Sequence, residues 1–292
     1  MMEKPARIVT DSMIGMKLPD YARLSPRVAT VLGHNPGPFT GPGTNTYLVG
    51  NGPRPILLDT GQGVAIWGDL LIVAMRELCN SSRLDRIVLT HAHVDHIGGV
   101  GQVRERMGDV EVLKMPWPGH DKAAGERMVA IGDGAVVKGE GVTLRAIHTP
   151  GHAPDHLCYY LDEEGGLFTG DVVLGAGTTV IPDDTGDLGQ YMDSLHRLLE
   201  LDLQAIYPAH GPVIRKPKEK IREYIAHREL RERQVLDALA GGPLEVMAIV
   251  KKIYVDVPEY LHPAAASSVR SHLKKLGKEG RVAEHAHRWS IN

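Results

Sequence analysis

The chain has 292 residues, 42 % of them apolar, and 33 Lys and Arg against 36 Asp and Glu give it a formal net charge of −3. That size suits one large domain, or a large and a small one, with core enough to fold without disulfides. Two isolated cysteines, Cys79 and Cys158, make no disulfide framework, and no apolar run approaches the roughly 18 residues of a membrane span, so the expectation is a protein with reduced thiols in the cytoplasm.

The N-terminal twenty residues hold no continuous apolar segment and do not read as a leader. Short β-rich runs follow at 27–33, 45–50 and 55–59, then a helix over 67–78. A strand at 86–90 leads to a helix over 98–106. Strands at 111–115, 143–149, 157–161 and 166–169 come next, then a helix over 190–200 and a strand at 204–207. Strands interleaved with helices predict a layered α/β architecture, its sheets covered by helices. The texture changes after Pro208-Ala-His-Gly-Pro212. A charged helix over 216–239 ends at Gly241-Gly242-Pro243, and helices over 244–254 and 264–276 follow. After a stop at Gly280 come two strand-like pieces, 281–284 and 288–291. Helix, helix, hairpin is the order of a winged-helix unit, so the domains are set at 1–215 and 216–292. The second is the basic part, with 15 Lys and Arg against 10 Asp and Glu, and suits either a solvated helical surface or a platform for an anionic ligand.

The stretch THAHVDHIGG, residues 90–99, crowds His91, His93, Asp95 and His96 into one turn at the end of an apolar run. His91 and His93 are two apart and point the same way from an extended backbone. Gly98 and Gly99 let the chain bend into a helix whose N-terminus faces the turn. Downstream, His152 in Thr-Pro-Gly-His, Asp171 in Phe-Thr-Gly-Asp and His210 in Tyr-Pro-Ala-His each follow a strand end. Five histidines and two aspartates are enough for two metal ions about 3.5–4 Å apart. Imidazole with carboxylate suits zinc, iron or manganese.

This pattern, His-x-His-x-Asp-His followed by His, Asp and His, resembles the metallo-β-lactamase superfamily. The resemblance implies an αββα sandwich with a binuclear site at one edge. It assigns His91, His93 and His152 to one metal, Asp95, His96 and His210 to the other, and Asp171 to both. Asp59, in Leu-Leu-Asp-Thr-Gly, matches the early acidic motif that supports the ligands from behind. It further implies a hydrolase in which a hydroxide shared by two divalent cations, best guessed as Zn2+, is the nucleophile and Asp95 orients it. The stretches 33–37, 43–50, 173–179, 191–195 and 207–214, with the winged-helix tail, are similar to the beta-lactamase-like protein 2 branch. The characterised animal member of that branch is an endoribonuclease for single-stranded RNA, and fungal relatives release polyketides as thioesterases. The expected activity is therefore endoribonuclease-type cleavage, with a thioester, lactone or β-lactam as the alternative substrate.

Two departures bear on substrate. Ala92 stands where the branch often has Trp, and the stretch 182–187 is longer and more acidic than usual. The tail residues Lys251, Lys252, Arg270, Lys274, Lys275, Lys278 and Arg281 would neutralise phosphates, while carboxylates near the entrance would repel them. Asn45 is a candidate donor to a substrate oxygen, and His156 a candidate support acting through Asp155. Trp67 and Trp117 read first as core. The tail also offers a surface for a homodimer.

Overall fold

The computed structural model describes Met13 and residues 15–125, 128–259 and 262–292; most of the stretch read as lacking a leader lies outside them. Two compact units emerge. One comprises the chain up to Thr149 with Asp155–Thr178 and Leu201–Lys218, the other Pro150–Pro154, Thr179–Glu200 and Glu219–Asn292.

The first unit is built on two sheets. Seven strands lie side by side in chain order: β1 (Tyr21–Arg23), β2 (Val28–Leu32), β3 (Asn45–Val49), β4 (Ile56–Leu58), β5 (Ile87–Val88), β6 (Val112–Lys114) and β7 (Met128–Ala130). The first four pair antiparallel; β4 to β7 run parallel. The five-stranded sheet holds β8 (Val136–Gly139), β9 (Val142–His148), β10 (Leu157–Leu161), β11 (Gly166–Gly170) and β12 (Ala205–Pro208), ordered β12-β11-β10-β9-β8.

Period-two alternation explains why both faces of the larger sheet are apolar. Val28, Tyr47, Val49, Ile56, Leu58, Val88 and Leu113 point inward and cluster with Leu144, Leu157, Tyr159 and Phe168 of the second sheet. Their neighbours Ala29, Val31, Leu48, Leu57, Ile87 and Val112 point outward. There they meet α1 (Ala65–Cys79) through Trp67, Leu71, Ala74 and Met75, and α3 (Val100–Met107) through Val100 and Val103. The spacing of those α1 residues is one helical stripe. Each fully buried aliphatic side chain contributes about 1.5–3 kcal/mol.

Strand direction decides where the loops go. β9 and β11 are both antiparallel to β10, and β11 is parallel to β12. Those three strands therefore end at one edge of their sheet, as the parallel β4 and β5 do in theirs. A one-turn helix, α2 (Val94–Ile97), opens directly from that edge. The expected helix start at residue 98 is thus a correction: Asp95 and His96 are already helical, with extended His93 as the cap.

The second unit contains α4 (Leu188–Leu199), most of α5 (Pro217–Leu239), α6 (Val246–Ile253), α7 (His262–Lys278) and a hairpin of β13 (Val282–His285) and β14 (Arg288–Ile291). Val235, Leu239, Ile249, Val250, Val269, Leu273, Leu276 and Val282 form its core, with Trp289 packed against them. Asp187 caps α4, its Oδ1 accepting from the Gln190 amide at 3.0 Å.

Candidate metal centre

Asp59 follows β4 in the left-handed region, φ 58°, a conformation that Asp tolerates better than most residues. Its Oδ1 accepts the Thr90 amide at 2.8 Å and its Oδ2 accepts the Thr90 hydroxyl at 2.9 Å. Oδ2 also lies 2.8 Å from His96 Nδ1. A carboxylate only accepts, so neutral His96 keeps its proton on Nδ1 and leaves the Nε2 lone pair for the site. Thr90, already donating to Asp59, accepts from His91 Nδ1 at 3.0 Å, which leaves His91 Nε2 unprotonated. That nitrogen is 2.9 Å from His93 Nδ1. His152 Nδ1 donates to the Val180 carbonyl at 2.7 Å, so its Nε2 also carries a lone pair.

Two donor groups result. His91, His93, His152 and Asp171 form one, and Asp95, His96 and His210 the other; within each, the ligand atoms lie within 4.8 Å of one another. Asp171 Oδ1 connects them, 3.1 Å from His210 Nε2 and 3.4 Å from His96 Nε2. Asp95 Oδ2 lies 3.3 Å from His210 Nε2 and 3.4 Å from His96 Nε2. His96 Nε2 is buried and has no hydrogen-bond partner among the described residues. A buried imidazole nitrogen aimed at two carboxylates, in a set of imidazole and carboxylate donors only, fits a divalent cation.

Electrostatics point the same way. Burial alone would push His210 down, but the carboxylates of Asp171 and Asp95 outweigh it and raise the imidazole to about 9. His96 is likewise raised well above its ordinary value against burial, by Asp95, Asp171 and Asp59. Burial would raise the carboxyls of Asp95 and Asp171, yet His96 and His210 hold both below the usual range. The centre draws in positive charge, and a metal competes there with protons.

Supporting contacts that the sequence left unread surround these groups. Asn35 donates to Thr44 Oγ1 at 3.0 Å, and Thr44 donates to Asp95 Oδ2 at 3.1 Å. Asn35 belongs to the Gly-His-Asn-Pro-Gly stretch, so a signal was present, although one side chain removed from the ligand. Asn45 Nδ2 donates to the carbonyls of Pro208 at 3.0 Å and Gly211 at 2.8 Å, clamping the loop that carries His210. His156 Nε2 accepts the Asp171 amide at 3.1 Å, so it reaches the site through Asp171. This corrects the reading through Asp155. That carboxylate is engaged instead by Lys114, whose Nζ lies 2.5 Å from Asp155 and 2.7 Å from Asp121 with no exposure. Trp67 is core, its Nε1 donating to Thr46. Trp117 is half-buried, its ring 6.3 Å from that of His93 and stacked on His120 at 3.8 Å.

Comparison with known proteins agrees with this geometry. Residues 39–210 match the metallo-beta-lactamase superfamily model, and residues 246–289 match the beta-lactamase associated winged helix domain. The chain is 42 % identical over 270 residues to a beta-lactamase-like protein 2 homolog of Caenorhabditis elegans, covering 91 % of this chain and 88 % of that one. It is 41 % identical over 275 residues to an atrochrysone carboxyl ACP thioesterase of Aspergillus chevalieri, covering 91 % and 86 %. The crystal structure of a beta-lactamase domain protein from Burkholderia ambifaria superposes with a TM-score of 0.82 at 20 % identity, covering 95 % and 96 %, and shares the fold.

Proposed function

This chain belongs to the metallo-β-lactamase superfamily, and on that footing we propose that it is a binuclear metallohydrolase acting on small acyl compounds, with thioesters first among esters, lactones and lactams. His91, His93 and His152 would hold one cation and Asp95, His96 and His210 the other, with Asp171 shared. Zinc is the proposed metal, from a donor set that iron or manganese could also use. Two divalent cations bound there supply Lewis acidity and bring the pKa of water down toward about 7.

The remaining work falls to side chains. Asp95 Oδ2, fixed by the Thr44 hydroxyl, orients the attacking water. Asp59 and Thr90 keep the ring nitrogens of His96 and His91 in the tautomers a metal needs. Asn45 and His156 hold the backbones that carry His210 and Asp171.

One observation supports this substrate class above the others: of the seven basic tail residues, Arg270, Lys274, Lys275, Lys278 and Arg281 are already engaged by groups of the same chain. Arg270 pairs with Asp183 at 2.5 Å, and Lys278 pairs with Asp187. Lys274 donates to the Asp183 carbonyl, and Lys275 and Arg281 both pair with Glu232 at 2.5 Å. Asp183 and Asp187 pair with Arg270 and Lys278, so those cations attract a phosphate backbone, and those carboxylates repel it, less than the sequence suggested. The relative named as an acyl-carrier-protein thioesterase supports the same reading. Cleavage of single-stranded RNA remains the second reading, resting on cations such as Lys251 and Arg288, which are exposed. A cytoplasmic setting and a homodimer through the tail accompany the proposal.

The test sets the zinc-loaded chain against a thioester panel, lactones, a chromogenic β-lactam and single-stranded RNA, with Asp171→Ala beside it. Thioester turnover lost in the variant is the expected result. RNA cleavage lost in the variant, with no acyl turnover, would reverse the ranking.

A further inference from the structure

The stretch Met115-Pro-Trp-Pro-Gly-His120 follows β6. Its last four residues meet the demands of a type II turn. Pro118 pre-sets the second position, Gly119 takes the third with φ 89°, and the His120 amide donates to the Trp117 carbonyl at 3.0 Å. Such a turn brings its first and fourth residues close together. The Trp117 indole and the His120 imidazole stack accordingly, 3.8 Å apart and 16° from parallel.

The turn is anchored from beneath. Asp121 Oδ2 accepts the Trp117 amide at 2.6 Å, and Asp121 Oδ1 lies 2.7 Å from Lys114 Nζ. Lys114 has no exposure and also holds Asp155 and the Met115 carbonyl. A buried ion pair adds little net stability, because desolvating its charges offsets their attraction. What this one adds is a fixed place for a ring pair that a flexible loop would leave loose. Pro116 and Pro118 restrict the backbone on both sides of Trp117.

The ring pair lies beside the metal centre, the indole centroid 6.3 Å from the ring of His93. Trp117 is only half-buried and His120 is exposed. Val94, next to His93 in the chain, is 62 % exposed. An aromatic surface held rigidly open beside a metal ligand suits a ring of the substrate, and a preformed surface binds it without paying to order itself first. The ammonium that anchors the turn is withdrawn from solvent and taken by two carboxylates, so it offers nothing to a phosphate.

We propose that Trp117 and His120 form a specificity wall for a planar, aromatic acyl group, with the reacting carbonyl on the His93 side. For the reaction this rests on the acyl-hydrolase reading; for binding it rests on the rings alone.

Calorimetric titration of the zinc-loaded full chain compares 2-naphthoate with decahydro-2-naphthoate, the same carbon skeleton without a flat face. The parent chain should bind 2-naphthoate about three- to tenfold more tightly, the range of an aromatic pair. Trp117→Leu should abolish the preference and Trp117→Phe should keep most of it, with unchanged binding of the saturated acid showing that the site is intact. In turnover of the N-acetylcysteamine thioesters of the same acids, the preference should lie in KM more than in kcat. A naphthoate preference without thioester turnover would uphold the wall and remove the hydrolase reading. The wall is overturned if the parent binds both acids alike, if Trp117→Leu keeps the preference, or if that variant loses binding of single-stranded RNA but not of naphthoate.

Discussion

Asp59 Oδ2 lies 2.8 Å from His96 Nδ1, and both side chains are withdrawn from solvent, at 1 % and 0 % exposure. The aspartate reaches that position only because its backbone is left-handed, and the same carboxylate oxygen holds Thr90, which in turn holds His91. One residue that offers the centre no ligand atom thus sets the tautomer of a ring in each donor group.

Asp59→Asn isolates this effect. Asn tolerates the left-handed backbone, so the fold should persist. Its amide, however, can turn a donor where His96 needs an acceptor. Metal affinity should fall roughly 10- to 100-fold, read by competition with a coloured chelator. An unchanged affinity would mean that Asp59 serves folding alone.

The raised histidines give the metal-free chain a defined pH response. His210 sits at about 9, above its unfolded value, and His96 is raised too. Their contribution to stability is complete below about pH 6.5 and disappears as pH climbs through about 9. The depressed carboxyls of Asp95 and Asp171 act oppositely: their contribution is present above about pH 4 and is lost only in acid. With chelator present, the melting temperature should therefore fall between pH 6.5 and 9, and with metal it should not, because ligated imidazoles carry no extra proton. Calorimetric scans at pH 6, 7.5 and 9 check both arms; parallel curves would refute this.

Lys114 is fully buried between Asp155 and Asp121, and burial pushes the Asp155 carboxyl up even beside the ammonium. Lys114→Met leaves two carboxylates without their cation and should cost roughly 3–5 kcal/mol in denaturant unfolding. Adding Asp155→Leu should restore part of it, since an apolar pair replaces a strained one. Because Asp121 also accepts the Trp117 amide at 2.6 Å, the single change should raise KM for bulky substrates more than it lowers kcat.

Asp183→Asn with Asp187→Asn releases Arg270 and Lys278 from their partners, while the amide oxygen introduced at position 187 can still cap α4. The parent chain should bind single-stranded RNA weakly, with a shallow salt dependence. The double variant should bind more tightly, its salt slope steeper by about one unit per freed cation that finds a phosphate. Filter-binding at several salt concentrations measures this. Steep salt dependence in the parent would revive the nuclease reading.

The seven candidate ligands were legible because each follows a short apolar strand. Strand ends are marked locally, by the switch from Val and Leu to Gly, Pro and His. The winged-helix tail was legible for a similar reason: Gly241-Gly242-Pro243 and Gly280 punctuate it without reference to anything distant. The edge strands β1, β7 and β8 were missed, since three or four half-exposed residues carry no readable period.

What sequence alone determined, then, was the identity and order of the candidate donor residues and most of the helices and strands that present them, because those depend on neighbours a few positions away. Partnership was decided by tertiary structure. That Asp59 serves His96, that Lys114 rather than His156 engages Asp155, and that Asp183 and Asp187 pair with Arg270 and Lys278 of α7 are relations across 37, 41 and about 90 positions. Charge and hydrogen bonding act over a few ångströms in space, and no local pattern in the chain records which distant group will fill that space.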